Sequence, residues 1–301
     1  MARVGQGTAK AVQRPQRPRE LQDTLNHYLY HPLAWQLARL LAPTPITPNM
    51  VSVLGAGCVV AAAFAYTQLT WPVSAALGMF LHMSWHVVDG ADGDLARMTG
   101  RSSPIGEMVD GLCDYLSHAV LYIALGVLLV GGTGLISGWQ AWVLVIFAGL
   151  SHAIQANHAE VQRRQYHYWV YGTPWLRNSH NADDSATSKS WAGALVSAYI
   201  GVASGMTPEA LKIDAAVQAA GSDKARLDSI ASAVRAESPP LLLLCKILGP
   251  NPRAIVLGLS MFAGSPVWYM LYQSVVLNLL LVFSVAQHNA AARRIAARIG
   301  A

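Results

Sequence analysis

Charge is scarce in this chain. Of its 301 residues, 12% are Asp, Glu, Lys or Arg, where a soluble domain carries about 25%. Alongside 53% hydrophobic residues, that scarcity excludes an ordinary water-soluble globule and points to a polytopic membrane protein. Cysteine is almost missing as well. Cys58, Cys113 and Cys245 all lie in apolar runs without metal-ligand spacing, so neither a disulfide framework nor a cysteine metal cluster is implied, and each reads as a core or lipid-facing residue. The net charge of +5 is too small to suggest a nucleic-acid partner and fits a basic side facing a membrane. Residues 69–72, 131–138 and 263–266 contain no charge at all.

Apolar runs approaching the roughly twenty residues that cross a bilayer occur at 51–69, 73–88, 103–130, 139–156, 241–262 and 267–285. The expected fold is all-α: a polytopic membrane protein with six transmembrane helices behind an N-terminal amphipathic interfacial helix. That first helix, within 20–47, spaces Leu21, Leu25, Tyr28 and Leu29 helically and adds Trp35, Leu37, Leu40 and Leu41, a composition suited to the interface. Residues 1–19 are basic (Arg3, Lys10, Arg14, Arg17, Arg19) and lack the apolar stretch of a signal peptide. They read as a disordered tail attracted to anionic lipid. Spans one to four occupy 48–171, and spans five and six, with a basic end, occupy 239–301. Between them, 172–238 carries Asp183, Asp184, Lys189, Asp214, Asp223, Lys224 and Arg226 and reads as a helical cytoplasmic insertion. It would cover an active site or mediate contacts between copies, a homodimer being one outcome. Lys246 and Arg253 fit poorly inside a fifth span, so a start near Ala254, with 239–252 interfacial or re-entrant, is the alternative boundary.

The charged ends opposite the uncharged turns carry Arg97, Arg101, Arg163, Arg164, Arg177, Lys246, Arg253, Arg293, Arg294 and Arg298. The positive-inside rule then places both termini and the central aspartates in the cytoplasm; a bacterial inner membrane is the expected location.

Those aspartates organise the chain. Asp89, Asp92, Gly93 and Ala96 follow i, i+3, i+4, i+7, and past a break at 99–104, Gly106, Asp110 and Asp114 recur every four residues. Each set shares one helix face. Two helices meeting at the break would aim four carboxylates and two glycines into one space. Four like charges beside a bilayer repel one another unless cations neutralise them. An all-oxygen set suits Mg²⁺ or Mn²⁺ better than zinc, and two such ions are a standard device for displacement at phosphorus.

The arrangement Asp89-x2-Asp92-Gly93-x2-Ala96-Arg97-x8-Gly106-x3-Asp110-x3-Asp114 resembles the full signature of the CDP-alcohol phosphotransferase (CDP-alcohol phosphatidyltransferase) family, class I, with every spacing intact. The resemblance extends to Pro48-Asn49 and to a six-helix pattern over most of 20–295, whereas 172–238 is longer than the family leads one to expect. It implies a membrane transferase that moves a substituted phosphoryl group from a CDP-alcohol to a hydroxyl acceptor, releases CMP and serves phospholipid synthesis. CDP-diacylglycerol is the preferred donor; the alternative is a soluble CDP-alcohol with a lipid acceptor. Asp89, Asp92, Asp110 and Asp114 would ligate two Mg²⁺ or Mn²⁺ ions, and Asp114 would also act as general base toward the acceptor. Gly93 and Ala96 are small where a nucleotide needs close approach, and Arg97 can clamp a phosphate through two parallel hydrogen bonds. Gly106, Arg101, Ser103 and Asn49 are further candidates for the nucleotide pocket.

Other polar residues leave choices open. His118, one turn after Asp114, would either orient that carboxylate or be satisfied inside the bundle. His82, His86 and Asp89 share a helical spacing but lack a third nitrogen or sulfur ligand for zinc. His158, Glu160, Arg163 and Arg164 end the fourth span, where they would hold an anionic acceptor or simply mark the membrane surface. Two readings from other classes are a UbiA-like prenyltransferase, which also uses aspartates and Mg²⁺, and a non-catalytic cation-binding membrane protein. Neither would release CMP from a CDP donor.

Overall fold

Proline and glycine punctuate the chain where its helices begin and end. The computed structural model describes residues 17–132, 136–174, 201–202 and 204–301, and of 104 and 105 the backbone alone. Arg3, Lys10 and Arg14 of the basic tail, and Arg177, Asp183, Asp184 and Lys189 of the insertion, lie outside the described residues. Every regular element among those described is helical. A π-turn at Asn26–Tyr30 leads into α1 (His31–Leu41), followed by α2 (Pro48–Gln68), α3 (Val73–Thr99), α4 (Pro104–Val130) and α5 (Gly138–Tyr171). Then come α6 (Ala210–Ala220), α7 (Lys224–Ile247), α8 (Pro250–Phe262) and α9 (Val267–Leu271), which a π-turn at Tyr272–Val276 joins to α10 (Leu277–Ile299). Pro48 and Pro250 open their helices, where a missing N–H costs nothing. Gly172 closes α5 at φ 66°, a left-handed geometry that side-chain-bearing residues resist.

Among the described residues, five helices are long and apolar enough to cross a membrane: Pro48–Gln68, Gly106–Val130, Gly138–Tyr171, Lys224–Phe262 and Val267–Ile299. The expected second span, 73–88, forms the first two thirds of α3, which is not among the five. His82, Ser84, His86 and Asp89 dilute its apolar character. The expected fifth span also takes a different form. α7 begins at Lys224 and continues through Pro239-Pro240 to Ile247, and Leu248-Gly249 separates it from α8. The 239–252 stretch is thus helical on either side of that break. Packing against α5 and α10 supplies the support that outweighs the backbone bonds lost at two prolines.

The chain divides into two compact units, Met1–Val60 with Ser84–His118, and Ala61–Met83 with Ala119–Ala301. In the first, Ala34 and Ala38 of α1 bury against Val51, Ala91 and Leu95. Small side chains allow this close approach: a Cβ on Gly90 would stand 3.1 Å from that of Ala34. The same N-terminal segment leaves Tyr28, Leu29, Leu33 and Leu40 exposed.

In the second unit, α5, α7 and α10 pack together around side chains that are polar yet buried. Gln155 Nε2 donates to the Gln273 carbonyl (3.1 Å) and to Asn278 Oδ1 (2.8 Å). Gln273 Nε2 and Arg253 Nη2 donate in turn to Gln155 Oε1, and Asn278 donates to Ser151 Oγ (2.8 Å). Tyr122 pairs with Tyr269 (2.9 Å) and with His152 (3.2 Å). Buried polar groups that satisfy one another in this way hold membrane helices together.

Candidate active site

The site lies wholly within the first unit, on α3, α4 and the start of α2. α3 ends in a left-handed glycine, Gly100 at φ 67°, and the Arg101 N–H folds back to the Ala96 carbonyl (2.9 Å), a helix-terminating pattern. Three residues later Ser103 caps α4. Its Oγ accepts the Gly106 N–H (3.0 Å) and its carbonyl the Glu107 N–H (3.1 Å). One short turn therefore brings the two aspartate faces together.

Asp89, Asp110 and Asp114 each offer a carboxylate oxygen within 4.8 Å of the other two. Among the described residues, no other trio of His, Cys, Asp or Glu is gathered this closely; His82 and His86 form no such group. Asp92 lies beside Asp110, but outside the trio. It is 7% exposed, and its Oδ2 accepts the Ser52 hydroxyl at 2.5 Å. Asp110 thus adjoins Asp92 as well as belonging to the trio. Ionised carboxylates only accept hydrogen bonds, so the trio cannot satisfy itself. An all-oxygen, like-charged cluster on rigid helices fits a hard divalent cation.

Neighbouring side chains aim this cluster. Trp85, one helical turn before Asp89, donates its indole N–H to Asp114 Oδ1 (2.9 Å). His118 sends Nδ1 to the Asp114 main-chain carbonyl (2.8 Å) and packs edge-on against Trp85, ring centroids 4.7 Å apart. The indole of Trp85, with His118 behind it, orients the carboxylate.

Gly93 lies under the Arg97 guanidinium, whose two terminal nitrogens would be 3.5 Å from a Cβ placed there. Arg97 Nη2 pairs with Asp94 Oδ1 at 2.5 Å, and Arg17 Nη2 meets the same oxygen at 2.8 Å. A Cβ on Gly106 would meet Ser103 Oγ at 3.3 Å and Asn49 Oδ1 at 3.6 Å, so Asn49, Ser103 and Gly106 form one small polar notch. Ala96 is half-buried and Arg101 exposed.

Residues 45–176 match the family model described as CDP-alcohol phosphatidyltransferase. That stretch is a CDP-alcohol phosphatidyltransferase domain. An uncharacterised class-I CDP-alcohol phosphatidyltransferase family protein of Schizosaccharomyces pombe is 31% identical over 97 residues, 29% of this chain and 24% of that protein. Cholinephosphotransferase 1 of Xenopus laevis is 34% identical over 105 residues, 33% of this chain and 25% of that protein. The chain thus spans about a quarter of the length of each relative. The matched domain contains α2 to α5, with the four aspartates and their signature partners.

Four residues of the CDP-alcohol phosphatidyltransferase domain or beside it escape the signature: Ser52, Trp85, Asp94 and Arg17. Three of them left a trace in the sequence. Ser52 follows Asn49 by one turn on an otherwise apolar helix, Trp85 precedes Asp89 by four residues, and Asp94 precedes Arg97 by three. Arg17 had no local trace, because its partner is far along the chain. Inside α5, which continues to Tyr171, Glu160 binds Arg163 through two contacts of 2.8 Å and Arg164 through one of 2.5 Å. His158 is fully buried and bonds Ser284 (2.9 Å), so it serves the interior of the second unit.

Proposed function

We propose that the chain is a membrane transferase that moves a substituted phosphoryl group, a phosphatidyl group from CDP-diacylglycerol, to a hydroxyl acceptor and releases CMP in phospholipid synthesis. The observation that carries this reading is the carboxylate trio set in an intact family signature. Asp89, Asp92, Asp110 and Asp114 would hold two Mg²⁺ or Mn²⁺ ions. Bound there, the cations would supply positive charge to the diphosphate and to the departing CMP.

The chain's own side chains do the rest. Asp110, beside Asp92 and within the trio, would be the ligand the cations share. Arg97, over Gly93, offers a planar fork to the donor's phosphates, while Gly93, Ala96 and the notch of Asn49, Ser103 and Gly106 leave room for the nucleotide. Arg101, exposed at the turn, adds positive charge. Asp114, steadied by Trp85, takes the acceptor's hydroxyl proton as the new P–O bond forms and the bond to the CMP oxygen breaks. The exposed apolar residues near α1 would rest in the interface, with the aspartates on the cytoplasmic side. A bacterial inner membrane is part of the same proposal, although both named relatives come from eukaryotes.

The relative named as a cholinephosphotransferase favours a second reading, in which a polar head group moves from a soluble CDP-alcohol to a lipid acceptor. CMP release from purified protein, measured against CDP-diacylglycerol and soluble CDP-alcohols with a panel of hydroxyl acceptors, separates the two. Thorough chelation should abolish release and Mg²⁺ or Mn²⁺ restore it. Release that persists after chelation removes the metal-dependent mechanism, and no release with any donor removes the transferase reading.

A further inference from the structure

Ser52 is 5% exposed on α2, with a valine on either side and Leu54 beyond. A buried hydroxyl needs a partner, and a helix offers it the carbonyl four residues back. That carbonyl, of Pro48, is in reach at 3.3 Å. Yet Ser52 Oγ stands closer to Asp92 Oδ2, at 2.5 Å and 40 residues away in the chain. A hydroxyl carries one hydrogen, and an ionised acceptor holds it more tightly than a peptide carbonyl does. The hydroxyl of Ser52 therefore donates to Asp92.

Helix packing holds the two residues together. Val51, next to Ser52, is buried in one cluster with Ala91 and Leu95 of α3. Gly55, one turn further along α2, lays bare backbone against α3. A Cβ there would lie 3.5 Å from Trp85 Cδ1 and 3.8 Å from the Asp89 nitrogen. Ser52 sits between these two contacts, and a single torsion places its hydroxyl. The bond to Asp92 is thus set by the way α2 meets α3.

The four aspartates are consequently held in two ways. Asp89, Asp110 and Asp114 gather from α3 and α4 alone. Asp92 lies outside that trio, beside Asp110, and takes its orientation from α2. With Oδ2 drawn to Ser52, its carboxylate does not turn freely. We infer that Ser52 is a positioning residue for one of two unequal cation sites: its hydroxyl holds Asp92 in place for an ion shared with Asp110, and an ion in the trio does not depend on it. The inference rests on the proposed pair of divalent cations. A hydrogen-bond partner that orients a metal ligand is worth about 10–100-fold in affinity, and here that factor falls on one ion only.

Titration of the purified full-length chain with Mn²⁺, with and without CDP, tests this, the free ion being read by electron paramagnetic resonance. The wild type should take up two ions. Ser52→Ala should weaken one of them about 10–100-fold and leave the other within about twofold. Ser52→Thr, which keeps the hydroxyl, should restore most of the loss. Adding Ser52→Ala to Asp92→Asn should cost little beyond Asp92→Asn alone, because the hydroxyl acts through that carboxylate. If Ser52→Ala binds both ions as the wild type does, weakens both alike, or is not rescued by threonine, Ser52 only joins α2 to α3 and the inference fails alone. A wild-type chain that takes up one ion under both conditions, or none, brings down the two-cation reading and the inference together.

Discussion

Gln155, Gln273, Asn278 and Ser151 in the second unit pair donors with acceptors, although Gln273 Oε1 stays buried without a partner, whereas Asp89, Asp110 and Asp114 in the first, when ionised, present only acceptors to each other. Both groups are polar, helical and set among apolar residues. The amide cluster mixes donors with acceptors, so much of its burial cost is offset and its bonds join α5, the π-turn and α10. The aspartate cluster repels itself when ionised, and one hydrogen bond from Trp85 does not neutralise it. Polar residues on membrane helices thus divide by sign and inventory: a mixed set can be adhesive, and a like-charged set is a candidate site.

Asp110→Asn should break this contrast most visibly. CMP release should fall by about 10³-fold, the scale of losing a principal electrostatic contact in the transition state. The thermal midpoint of the metal-free protein should stay level or rise, because one repelling charge is gone. If the midpoint drops instead, the carboxylates are structural after all. Comparable residual rates for Asn variants at Asp89, Asp92, Asp110 and Asp114 would deny Asp110 its central rank.

Within the aspartate site, Asp114→Asn and Arg97→Lys should separate chemistry from binding. Loss of a general base costs about 10²–10⁴-fold in turnover and should leave CDP affinity nearly unchanged. Arg97→Lys should weaken CDP binding first. Calorimetry with CDP and Mg²⁺ reads both, and an equal loss of affinity would make Asp114 chiefly a ligand.

The amide cluster should respond in the opposite sense. Gln155→Leu removes the centre of the network and should lower stability by about 1–2 kcal/mol, seen as a lower midpoint in a detergent melt. CMP release per folded molecule should stay within a few-fold. An unchanged midpoint would show that the network is not adhesive. The smallest effect belongs to Trp85→Phe, which keeps the ring and removes the indole N–H to Asp114. Turnover should fall by about three- to tenfold, in line with one hydrogen bond of about 1 kcal/mol, with CDP affinity unchanged; a matching loss of affinity would assign Trp85 to donor binding instead.

The helical architecture and the core of the site were legible because both are written in local spacing. Asp89, Asp92, Asp110 and Asp114 repeat at helical intervals, and Ser103-Pro104 marks the start of α4. What spacing cannot show is which partner a side chain chooses across space. Asp92 turned to Ser52, leaving three carboxylates in the tight group. His118 took the Asp114 carbonyl while Trp85 took the carboxylate. Arg97 found Asp94 within its own turn, but Arg17 reached it from 77 residues away. Helix ends were obscured for a related reason. Pro239-Pro240 is a strong local stop signal, and tertiary packing of α7 overrode it.

The turn at residues 100–103 is all that separates α3 from α4, and this shapes how the site assembles. The paired carboxylates are joined by so short a link that bringing them together closes almost no loop, so the entropy of gathering them is small. What opposes closure is repulsion, which a bound divalent ion relieves. Cation binding should therefore also act as a fastener on this helical hairpin, stabilising it in proportion to the logarithm of free metal above its dissociation constant. Depletion of Mg²⁺ or Mn²⁺ would then loosen residues 89–114 as well as halt turnover, and hydrogen exchange confined to that hairpin would register the ion's departure.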